Sequence, residues 1–258
     1  TAPLCNQIIF LSMKQHLYQE AFKQMQSIVS LNNQGVIFFQ LGRLEEASTY
    51  FRNAALDLNA LKESSHGRSS QDMYYSSRHF DPIQGWSSPI KVTSTLEGSS
   101  IMFTRALFLK TPDSWGVASE ELPSLYYQDA LALVLLYNSA ILNHAYSDSN
   151  GQISKAADAA YHAYEQTFVI SQRFEQTDDS KFFFHLKVLK LALLNNMGVL
   201  YHNSMCRFRD ASKCFKSSRR LMNDLEKNLI AAEIMTSEEV MQLSMNLVVV
   251  PVAAAPVA

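Results

Sequence analysis

The chain has 258 residues and a formal net charge of −2, from 22 basic and 24 acidic side chains. With 47% apolar residues, eight glycines and seven prolines, it is neither a disordered chain nor a turn-dense all-β one. Three cysteines (Cys5, Cys206 and Cys214) without an N-x-[ST] sequon argue against a disulfide-stapled secreted domain, and nothing in the charge demands nucleic acid or an anionic membrane.

Residues 1–62 carry helical periodicity with few breakers. Within them, Leu31–Leu41 and Leu44–Leu61 are expected to form an antiparallel helix pair that turns at Leu41-Gly42-Arg43. Residues 63–123 differ: they hold four glycines, four prolines and five Ser-Ser pairs, the composition of an irregular insertion. Two runs inside it, Ile90–Thr95 and Ile101–Leu109, have the residues of strands. Glu97-Gly98-Ser99-Ser100 lies between them, so the sequence predicts a small β-hairpin there. Residues 124–245 return to helical periodicity, with a second pair expected near Phe182–Asn203 and Arg207–Lys227. Residues 246–258 are apolar but interrupted by Pro251 and Pro256, and read as an extended tail. No apolar run reaches the roughly 18 residues of a membrane span. An intracellular, soluble chain is therefore expected, most readily cytoplasmic.

The helical zones repeat internally. Shifted by 190 residues, Leu4–Ser27 lies without a gap on the chain from Leu194. Asn6 then meets Asn196, Tyr18 meets Phe208, Glu20-Ala21 meets Asp210-Ala211, and Met25 meets Phe215. A third copy, Leu31–Leu58, carries Asn33, Gly35, Phe38, Leu44, Glu46-Ala47, Phe51 and Ala54. A looser fourth begins at Asn138-Ser139-Ala140 and resumes at Lys155-Ala156, Ala160 and Ala163. The small residue two positions after each of three asparagines (Gly35, Ala140, Gly198) admits a close second helix, and Ala47 and Ala211 do so from the partner side. Aromatics such as Phe38, Phe51, Tyr201, Phe208 and Phe215 fill the space around that contact.

This pattern resembles the tetratricopeptide repeat, a helix–turn–helix unit of about 34 residues. The likeness is clearest over Ser30–Asn59 and Leu193–Leu221, and all four copies cover about half of the chain. The repeat's usual proline after the second helix is missing in every copy. Only 14 residues separate Ala21 from Gly35, where the family spacing is about 22. The resemblance implies an all-α fold, an antiparallel helix-hairpin array of right-handed sense, interrupted by the 63–123 insertion.

Motifs of catalysis are missing: there is no G-x-S-x-G, P-loop, G-x-G-x-x-G or H-E-x-x-H. His202 and Cys206 have metal-compatible i, i+4 spacing, but two ligands do not hold a zinc. The acidic pairs Glu45-Glu46, Glu120-Glu121, Asp178-Asp179 and Glu238-Glu239 fall where helices should begin, and there carboxylates complement the helix dipole. His66, His79, Asp72 and Asp81 in the insertion show no recognisable spacing. No enzyme, metal or cofactor is expected.

Two binding candidates are left. The resemblance implies that Asn6, Asn33, Asn138 and Asn196 face a concave groove, where an amide supplies both donor and acceptor to an extended peptide. Phe39, Tyr137, Asn195, Val199 and His202 would be their groove neighbours. None of these is Lys or Arg, so a clamp for acidic C-termini is not expected. The alternative is that the asparagines bond neighbouring helices. The second candidate is a basic stripe, Arg209, Lys213, Lys216 and Arg220, spaced for one helix face opposite Phe208, Ala211, Phe215, Ser218, Met222 and Leu225. An anionic partner could dock there, although no aromatic platform interleaves the charges and a solvated surface is the plainer reading. The expectation is a non-enzymatic scaffold that binds another protein or peptide in its groove. The alternatives are a fixed subunit of a larger assembly, or binding of RNA or another anionic partner through the stripe.

Overall fold

Among the described residues of a computed structural model, 2–65, 82–88, 102–110, 125–150, 153–174 and 180–231 with Val240, Met241 and Asn246, there are six α-helices and one two-stranded sheet. They follow in the order α1 (Ala2–Gln40), α2 (Leu44–Ser65), β1 (Ile83–Trp86), β2 (Leu107–Leu109), α3 (Leu125–Asn150), α4 (Ile153–Gln172), α5 (Ser180–Asn203) and α6 (Phe208–Ala231). The chain is mostly helical, as its periodicity predicts.

The helices pack as three consecutive pairs, α1 with α2, α3 with α4, and α5 with α6. Short connections turn each second helix back along the first. Between α1 and α2 the turn is a Schellman motif. Gly42 takes a left-handed φ of 71°, its amide donates to Phe39 O at 3.0 Å, and the Arg43 amide donates to Phe38 O at 2.9 Å. Between α5 and α6 the left-handed position is Cys206, with φ 52°. Glu45 and Glu46 stand in the first turn of α2, as expected of carboxylates that complement the dipole. The other three acidic pairs lie outside the described residues.

The small residues do what their spacing predicts. A Cβ on Gly35 would come within 2.6 Å of the Phe51 ring, and one on Gly198 within 2.8 Å of Phe215. Each aromatic of a second helix thus rests on bare backbone of the first. Ala47 and Ala211 are fully buried beside these contacts. One continuous core includes all six helices, and it also takes in Ile83, Met102, Phe103, Ala106, Leu107 and Leu109 of the insertion.

Three expectations need correction. The first repeat copy does not form a hairpin: α1 runs unbroken through Leu4–Ser27 and on to Gln40. At its turn positions, Gln15 and His16, the helix continues, whereas the aligned Met205-Cys206 turns with no glycine or proline of its own. The short Ala21–Gly35 spacing follows, since both residues lie on one helix. The second concerns the hairpin. β2 falls in the expected Ile101–Leu109 run, but its antiparallel partner is β1, with Ile83 opposite Leu109 and Trp86 opposite Leu107. Ile90–Thr95 and the turn at Glu97–Ser100 lie outside the described residues. Pro82 and Gly85 read as strand breakers, yet Gly85 marks a register shift within a real strand. Third, Phe182–Asn203 is long and apolar enough to cross a membrane by length and composition; 67% of an apolar 18-residue stretch within it is buried, as part of the core helix α5. The tail after Asn246 lies outside the described residues.

Candidate functional site

The first helix of each pair carries an asparagine that makes two hydrogen bonds to the same strip of extended chain. From α5, Asn196 accepts the Phe103 amide through Oδ1 at 2.7 Å and donates through Nδ2 to Phe103 O at 2.9 Å. From α3, Asn138 makes the same two bonds with Leu107, both at 2.9 Å. From α1, Asn33 accepts the Leu109 amide at 2.9 Å and donates to Leu109 O at 2.8 Å. Tyr137 fills the gap between them, donating its hydroxyl to Arg105 O at 3.1 Å.

The alternation has a simple origin. An extended chain turns the N–H and C=O of every second residue toward the same edge. Residues 103, 105, 107 and 109 face the helices, while residues 106 and 110 face the strand β1. There Ser87 N donates to Ala106 O at 2.8 Å and Lys110 N donates to Pro82 O at 2.9 Å. Ser87 Oγ also accepts the Ala106 amide at 2.9 Å. The three amides therefore replace a second neighbouring strand. Six residues of extended chain reach about 20 Å, close to two interhelix spacings of about 8–10 Å. The strand must then cross the helices, not run along one of them.

A second set of polar groups orients the ladder. Asn32 Nδ2 donates to Leu107 O at 3.1 Å, and Asn32 Oδ1 accepts Asn138 Nδ2 at 2.8 Å. Asn195 Nδ2 donates to Asn196 Oδ1 at 3.2 Å, and Asn195 Oδ1 accepts Asn246 Nδ2 at 2.8 Å. Asn196 Nδ2 also reaches the Tyr164 hydroxyl at 3.2 Å, and His144 Nδ1 lies 3.3 Å from that hydroxyl. Burial holds the His144 pKa down at about 3 and pushes Tyr137 well above its usual range, so both are neutral near pH 7.

Of the groove residues named from sequence, Asn33, Asn138, Asn196 and Tyr137 converge on this strand. Phe39 and Val199 are buried in the core, and Asn195 supports Asn196. His202 is half-buried, with Nδ1 2.8 Å from Asn203 Oδ1. It stands in the last turn of α5, whereas Cys206 lies in the turn beyond, so the two do not share a helix. Asn6 is on α1, its side chain outside the described ones. The groove amides are not solvent-exposed, as an empty groove would leave them: Asn138 and Asn196 are fully buried. Sequence reasoning missed Asn32 and Tyr164, and above all the occupant. The Asn-Asn doublets at 32–33 and 195–196 were the available signal.

The stripe lies as expected on the outer face of α6, with Arg209, Lys213, Lys216 and Arg220 all exposed. Asp210 binds Arg207 at 2.7 Å and Lys213 at 3.1 Å. Among the described residues no ion pair is formed by Arg209, Lys216 or Arg220. Ala211, Phe215, Ser218, Met222 and Leu225 are buried opposite, but Phe208 is not: it is 41% exposed, against the edge of His202. No family model matches the chain, and no curated protein or solved structure matches it.

Proposed function

We propose that this chain is a non-enzymatic protein-interaction scaffold of tetratricopeptide-like helix hairpins, whose groove holds extended peptide backbone on asparagine amides. The observation that carries the reading is the set of three two-bond contacts from Asn33, Asn138 and Asn196 to one strand. An amide that both donates and accepts matches a peptide unit, and it reads backbone without regard to side chain. The occupant is internal, which also suits a fixed subunit of a larger assembly whose groove is permanently closed. A second reading, docking of an anionic partner on α6, is favoured by the exposed cations of the stripe.

Purification of the tagged full chain, with cross-linking of whatever protein co-purifies, tests the scaffold reading. A stoichiometric protein partner that survives nuclease treatment supports it. Recovery of nucleic acid alone, released by moderate salt, would overturn it in favour of the stripe.

A further inference from the structure

We propose that Met102–Lys110 is an internal ligand that closes the groove, and that the external partner is an extended peptide of the same pattern. That pattern is apolar where Phe103, Leu107 and Leu109 stand and small where Ala106 stands. The inference rests on the groove reading above and gives it a ligand class and a form of regulation.

Every ladder bond goes to main chain, so any extended segment can make it. Selection is left to the side chains, and here the strand is demanding: Met102, Phe103, Ala106, Leu107 and Leu109 are all buried. Phe103 meets the edge of Trp86 with centroids 5.6 Å apart, and Trp86 meets Tyr137 at 5.9 Å. A polar or charged residue at these positions would lose that burial. β1 offers a foreign strand the same second edge that it offers β2, so the full set of main-chain bonds is open to exchange. A tethered occupant competes at an effective concentration on the order of mM. The groove is therefore closed by default and opens only when the internal strand is weakened or outcompeted.

The test uses a fluorescent nine-residue peptide with the sequence of Met102–Lys110, titrated against the full chain by anisotropy. Leu107→Pro removes the N–H that Asn138 accepts and so weakens the internal strand. The peptide should bind this variant at least tenfold more tightly than the wild type. Adding Asn138→Ala should reverse the gain, and methylation of the peptide's Leu107-equivalent nitrogen should abolish binding. A Leu107→Pro protein that melts cooperatively yet binds the peptide no better than wild type overturns the proposal. Hydrogen exchange on the wild type decides the matter if that variant does not fold. The Phe103, Leu107 and Leu109 amides should open without those of Leu131–Ile141, whereas a single opening shared by strand and helices would make the strand permanent core. In that event a co-purified partner cross-linked to the outer helices would still uphold the scaffold reading.

Discussion

Asn138 and Leu107 exchange two hydrogen bonds of 2.9 Å, side-chain amide to peptide unit, across 31 residues of sequence. Both partners are buried, so neither can turn to water instead. Asn138→Ala leaves the Leu107 N–H and part of its C=O capacity unpaired, at about 1–3 kcal/mol. Asn138→Asp keeps the acceptor, removes the donor and buries a charge, and should cost more. Urea denaturation of the two variants checks the order. Wild-type stability in Asn138→Ala would mean that this contact contributes nothing to holding the strand.

Gly35 and Gly198 permit a sharper test of the helix pairs. Alanine in a helix is ordinarily favoured over glycine by about 0.5–1 kcal/mol. Here the added Cβ meets Phe51 at 2.6 Å, so the contact must give way and Gly35→Ala should destabilise by about 1–3 kcal/mol. Phe51→Leu in the same chain should recover part of the loss, because the two changes share one space. Thermal melts of the single and double variants are the measurement.

His144 predicts a pH dependence. Its pKa is near 3 in the folded chain, against about 6.5 when unfolded. Between these values the unfolded chain takes up a proton that the folded chain refuses. The stabilisation is complete above pH 6.5 and falls away as the pH drops toward 3. The slope approaches about 1.4 kcal/mol per pH unit. His144→Gln, which does not titrate, should flatten the difference between denaturation midpoints at pH 7 and pH 5. An unchanged difference would show that His144 is not the group responsible.

On α6, Lys213→Glu with Lys216→Glu should leave the melting temperature within a few degrees, since both side chains are exposed. If an anionic partner docks there, its association rate should fall and lose much of its salt dependence. Stopped-flow measurements at two ionic strengths would show this. Equal rates at low salt would identify the stripe as solvated surface.

Much of this fold was legible because local rules wrote it. Gly35 before Phe51 and Gly198 before Phe215 announced the close helix pairs, and Gly42 announced its turn. The unbroken α1 was not legible in the same way, since Cys206 turns with φ 52° where the aligned His16 stays in the helix, and neither is a glycine. The asparagines were legible as readers of peptide backbone. Their occupant was not, because pairing across 76 or 93 residues leaves no periodicity in either partner. Nearest-neighbour reasoning gave the Ile101–Leu109 run to Ile90–Thr95, while the observed partner, Ile83–Trp86, follows a proline and contains a glycine. Phe208 misled for another reason: it has the spacing of the buried face, but it opens its helix beside a turn.

The ladder also bears on the order of folding. The α1–α2, α3–α4 and α5–α6 contacts join segments adjacent in sequence, whereas the strand closes loops of 31, 76 and 93 residues. Loop-closure entropy delays such long-range contacts, so the hairpins form first and the strand docks late. On the ribosome, β1 and Asn33 precede the strand, but Leu107 must wait for Asn138 of α3 and Phe103 for Asn196 of α5. During that wait the helix-facing edge from Phe103 to Leu107 is unpaired, the feature most prone to self-association. Aggregation during synthesis should therefore be governed by the time needed to translate the chain from Lys110 to Asn203.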